Sequence, residues 1–78
     1  MLSEWSGWIA SVRYRCGIPL KELSAASNMS EDYLQRFLRK EGRQWPGSVR
    51  KIENGLRSCV EKRGIDFDEV FPPEKRSS

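Results

Sequence analysis

The chain contains no histidine. The commonest general base and a principal metal ligand are therefore missing, and with them most acid–base catalysis and most zinc chemistry. Cysteine is scarce: Cys16 and Cys59 stand far apart, and neither belongs to a CxxC pair, so no zinc-ligand pattern exists. Both fall on apolar helical stripes and read as reduced core thiols of a cytosolic protein, although a disulfide between the first and fourth helices is geometrically possible. No apolar run approaches the roughly 18 residues a membrane span needs. Repeats, low-complexity tracts and strand-like alternation are also absent. The opening Met1-Leu2-Ser3-Glu4 lacks the charged start and apolar middle of a secretion signal, and a methionine at position one reads as the start of a complete protein. The expectation is an intracellular, all-α domain with no cofactor, no metal and no enzymatic activity.

What remains is one domain's worth of helix-forming sequence. A chain of 78 residues buries roughly 60% of its unfolded surface, which leaves a small stability margin. Trp5, Trp8 and Trp45 supply much of the apolar area. The net charge of +3 permits an anionic partner without demanding one.

Apolar residues recur at three- and four-residue steps in four segments. Leu2, Trp5, Ile9, Val12 and Cys16 mark a first helix from about Ser3, with Ser3 as its cap, Glu4 at its positive end and Gly17 as its stop. Trp8 widens the stripe. Pro19 suits the start of a second helix running to about Ser27. Asn28 tolerates a left-handed turn, Met29 drops into the core, and Ser30 caps a third helix from Glu31 to Glu41 that Gly42 ends. Pro46 begins a fourth helix with the stripe Val49, Ile52, Leu56, Cys59 and Val60, stopped by Gly64. Gly55 lies inside it and weakens it by up to ~1 kcal/mol, so a close packing partner is expected there. Asp66-Phe67-Asp68-Glu69, bracketed by Ile65 and Val70, reads as a capping box with a hydrophobic staple, starting a fifth, one-turn helix from Phe67 to Phe71. Pro72-Pro73 closes the domain at 1–73, leaving 74–78 as a disordered tail.

The stretch from Leu20 to Arg39 carries the functional signal. Two short helices flank Ser27-Asn28-Met29-Ser30. The first turns Leu20, Leu23 and small Ser24 inward; the second turns Leu34, Phe37 and Leu38 inward, with Asp32, Arg36 and Arg39 outward. That is how a helix-turn-helix reads. Arg36, Arg39, Lys40, Arg43, Arg50 and Lys51 then cluster against a single acid, Glu41, and clustered cations on one side are what phosphate binding requires. Arginine pairs bidentately with guanine and glutamine with adenine, which singles out Gln35, Arg36 and Arg39. Glu31 and Asp32 cap the positive end of the helix or accept from cytosine, and Asp32 is placed to pair with Arg36 one turn on.

In this order over about sixty residues, the motifs resemble the lambda-repressor/Cro (XRE-type) helix-turn-helix family. Arg13 with Gly17-Ile18 resembles the end of its first helix, and Leu23-Ser24 its Leu-Ala pair. Asn28-Met29-Ser30 resembles its Gly-Val-Ser turn, with Leu34 and Phe37 as buried recognition-helix residues. Pro46-Gly47-Ser48 with Val49 and Ile52 resembles the start of its fourth helix, and Gly64-Ile65-Asp66 to Val70-Phe71 its closing segment. Leu20 stands where the family usually has glutamine.

The resemblance implies a five-helix domain that binds duplex DNA sequence-specifically as a homodimer on a palindromic operator, as a small phage or prophage regulator working in the bacterial cytoplasm or nucleoid. Ser30, Glu31, Asp32, Gln35, Arg36 and Arg39 are the expected base contacts. Lys21, Lys40, Arg43, Ser48 and Arg50 are the expected phosphate contacts. Ile65, Phe67, Val70 and Phe71 are a surplus of apolar groups near the end of the chain; core filling is the first expectation for them, and they become the dimer surface if they face solvent. The competing expectation is a protein-binding module on the same scaffold, an antirepressor or an inhibitor of a host protein, favoured by the acidic start of the third helix and the low net charge.

Overall fold

The computed structural model describes residues 2–39 and 46–75, with side chains from 5 to 39 and from 47 to 74. Among them every regular element is helical: α1 (Leu2–Cys16), α2 (Leu20–Ala26), α3 (Glu31–Leu38), α4 (Pro46–Lys62), α5 (Phe67–Val70) and a 3-10 turn, Pro73–Lys75. The fold class is all-α.

Helices α1, α2 and α4 end in the same way. Gly17, Asn28 and Gly64 take left-handed backbone angles, with φ of 66°, 56° and 75°. The amides of the residues that follow, Ile18, Met29 and Ile65, reach back to the carbonyls of Arg13, Ser24 and Val60 at 2.9, 3.1 and 3.3 Å. Each apolar residue then folds onto the core. Glycine accepts this conformation freely and asparagine nearly so, and the doubled-back amides satisfy carbonyls that the helix leaves open. Helix starts are equally local. The Pro19 carbonyl accepts from the amides of Glu22 and Leu23 at 3.0 and 3.1 Å. Ser30 Oγ accepts from the Tyr33 amide at 3.1 Å. Asp66 Oδ1 accepts from the Asp68 amide at 3.0 Å, one residue earlier than a capping box requires. Helix α1 begins at Leu2, so Ser3 stands inside it; the side chains of Ser3 and Glu4 lie outside the described residues.

Helix α4 is the spine, with α1, α2 and α5 packed on it. Its expected stripe of Val49, Ile52, Leu56, Cys59 and Val60 is buried, against Trp5, Ile9 and Val12 of α1, Leu23 of α2, and Leu34 and Phe37 of α3. The end of α2 crosses α4 at Gly55. A methyl group there would collide with Ser27 Oγ and sit 2.9 Å from the Ser27 amide nitrogen. The missing side chain is what lets the two elements meet.

Two expectations change, and one open choice closes. Helix α3 stops at Leu38 rather than Glu41: Arg39 is its C-cap, with ψ of −2° against the roughly −42° of a continuing helix; the Gly42 stop lies outside the described residues. The expected tail starts too early: Pro73–Lys75 form a 3-10 turn packed on α1, since proline fixes the φ such a turn needs. Residues 76–78 lie outside the described set. Of the two roles left open for Phe67 and Phe71, core and dimer surface, the structure gives the core. They are 3% and 0% exposed, with Phe71 stacked on Trp8 at 6.0 Å and Phe67 edge-on to Phe71 at 5.6 Å. Arg57 caps the Phe67 ring at 5.2 Å. These rings close the core between α1 and α4, so neither is a contact for a second copy; Ile65 and Val70 are half-buried against the same core.

Candidate nucleic-acid interface

Helix α3 is positioned from its apolar face. Leu34 and Phe37 are buried, and Leu38 packs at the core's edge. The Phe37 ring meets Trp5 of α1 edge-on at 6.2 Å. Trp5 in turn donates its indole N–H to the buried carboxylate of Glu53 on α4 at 2.6 Å. The turn before α3 is fixed by the Met29–Ser24 bond. This frame leaves Glu31, Asp32, Gln35, Arg36 and Arg39 exposed, projecting from one short helix.

Asp32 and Arg36 form an ion pair of 3.2 Å whose side chains are 75% and 59% exposed. Such a pair contributes little and is readily exchanged for another partner. Ser30 is exposed, with its oxygen committed to the helix cap. Lys21 is exposed on α2, Arg50 and Lys51 on α4, and Ser48 is half-buried at the start of α4. Lys40, Arg43 and Trp45 lie outside the described residues.

Besides this apolar packing, a side-chain hydrogen bond links α3 to α4: the hydroxyls of Tyr33 and Ser48 are 3.2 Å apart. The Tyr33 ring leans on Phe37, with centroids 6.0 Å apart. Sequence reasoning named Ser48 and passed over Tyr33, although Tyr33 lies one turn before Phe37 and so beside it on the helix surface.

Sequence reasoning also missed a polar junction at the other end of α2. Arg63 donates to both carboxylate oxygens of Glu22 at 2.7 and 2.8 Å, and to the carbonyls of Cys59 at 2.9 Å and Gly17 at 3.3 Å. Hydrogen bonding from Arg63 holds the Glu22 carboxyl down at about 2. Burial, with the negative charge of Glu22, pushes the Cys59 thiol up; a thiol kept protonated is unreactive. Both cysteines are free. Arg13 Nε closes the same junction by donating to the Ile18 carbonyl at 3.2 Å.

No group of three or more His, Cys, Asp or Glu placed to hold a metal occurs among the described residues, and none of the described helices is long and apolar enough to cross a membrane. Set against protein-family models, curated proteins and solved structures, the chain matches none.

Proposed function

We propose that this chain is a sequence-specific regulator of transcription that binds duplex DNA, reading the major groove with α3 in the manner of a small phage-type repressor. The observation that carries the reading is the outer face of α3. Gln35, Arg36 and Arg39 project together from a helix clamped by aromatic and aliphatic packing on its inner side. Planar donors on a rigid helix suit purine edges. Arg36 needs only to exchange an exposed carboxylate for a base. Exposed cations on α2 and α4 (Lys21, Arg50 and Lys51) supply phosphate contacts around it. The resemblance to the lambda-repressor/Cro family supports the same assignment. A homodimer on a palindromic site belongs to this reading, with its interface away from Phe67 and Phe71.

The acids at the start of α3 favour one other reading. Glu31 and Asp32 are exposed where phosphates would pass, which suits a protein partner with a basic surface. A low-salt gel shift on random and genomic duplexes separates the two, since a DNA reader binds both and a protein-binding module binds neither. Selection from a random DNA pool should then return a palindrome. Arg39→Ala should weaken binding to the selected site by about 1–3 kcal/mol and leave random DNA less affected. Unchanged affinity in that variant would remove α3's outer face from the assignment.

A further inference from the structure

We propose that Tyr33 and Ser48 together hold one backbone phosphate of the duplex, which sets the path of that strand along the α3–α4 flank; the inference rests on the DNA-binding reading above. The two hydroxyls come from different helices and lie 3.2 Å apart. Each carries a single proton, and their mutual bond uses only one of the two. A donor is therefore left over at the point where the two oxygens converge. A phosphate oxygen accepting from both replaces one neutral bond with two charge-assisted ones, which are shorter and stronger. The Tyr33 ring is propped against Phe37, which is itself buried, so the hydroxyl is held in place before any DNA arrives.

Charge favours this flank over the neighbouring one. The first turn of α4 contains no acid, and exposed Arg50 and Lys51 follow Ser48. The acids of α3 lie elsewhere on its circumference. At 3.6 residues per turn, Asp32 is about 100° and Glu31 about 200° round the helix from Tyr33. A strand laid over Tyr33 and Ser48 thus avoids the carboxylates that would repel it, and the acidic start of α3 no longer argues against DNA.

The test is fluorescence anisotropy with a labelled duplex of random sequence, over a range of salt concentrations. The proteins are wild type, Tyr33→Phe, Ser48→Ala, the double variant and Arg50→Ala, with melting temperatures measured alongside. Each hydroxyl deletion should weaken binding roughly threefold to tenfold, with no change in melting temperature. The double variant should lose less than the product of the two. The salt slope should stay at the wild-type value, because a hydroxyl displaces no counterion, whereas Arg50→Ala should flatten it. Unaltered affinity in Tyr33→Phe, a loss seen only on a selected operator, or fully multiplicative losses would overturn the shared phosphate. Wild type that fails to bind random duplex at low salt would instead remove the DNA reading, and the clamp with it.

Discussion

Two arginines in this small molecule are each matched to a carboxylate, and the matches are unlike. At the junction of α1, α2 and α4, Arg63 engages both oxygens of Glu22, 41 residues away, and two backbone carbonyls besides. On the outer face of α3, Arg36 touches one oxygen of Asp32, four residues away, in full view of solvent. The first arrangement spends most of the guanidinium's donors inside the protein; the second leaves most of them free. The same side chain thus serves as a fastener in one region and as an available hand in the other. What decides between them is how many protein acceptors surround it, not its charge.

The largest effect should come from tightening the fastened region. Gly55→Ala ought to destabilise the fold by about 1–3 kcal/mol, measured by urea denaturation, because the added methyl meets the α2 turn. Helix propensity alone would stabilise it by up to ~1 kcal/mol; a stabilised variant would mean that α2 can shift and that the frame is looser than described. On the exposed face the contrast should invert. Arg36→Ala should weaken binding to a selected operator by about 1–3 kcal/mol with its melting temperature unmoved.

Arg63→Ala should lower thermal stability and leave the binding surface intact. It should also change the response to acid. Glu22 ionises at about 2 in the folded chain against an ordinary 4.5, so the stability it contributes is complete above 4.5 and is lost as pH falls from there towards 2. Denaturant melts through that window should show a shallower decline in Arg63→Ala than in wild type. An identical decline would mean that the clip is not what acid opens. Asp32→Ala should have the smallest effect, within about 0.5 kcal/mol of wild-type stability.

What could be read from the chain alone was whatever depends on near neighbours. Gly17, Asn28 and Gly64 announced their turns because each is a residue that tolerates positive φ followed by an apolar one. The stripes of α1 and α4 announced the core because three- and four-residue spacing repeats over several turns. The close partner of Gly55 was legible as a local weakness needing compensation. The extent of α3 was not, since its end is set at Arg39 before the expected glycine. For Phe67 and Phe71 the sequence favours the core first and leaves a dimer surface open, because one turn of helix is too short for periodicity alone to tell inside from outside. On the proposed interface, Gln35, Arg36 and Arg39 followed from helical phase. Tyr33 did not, because its partner Ser48 belongs to another element, and the same holds for Trp5 with Glu53 and Glu22 with Arg63. Contacts between separate elements, here 15, 48 and 41 positions apart, leave no mark on local pattern.

The stacking of Phe71 on Trp8 has a consequence for how the domain is born. An early helix and a late ring cover each other, so a nascent chain halted before residue 71 displays an unroofed tryptophan, a surface chaperones and proteases recognise. Synthesis must run almost through the domain before that exposure ends.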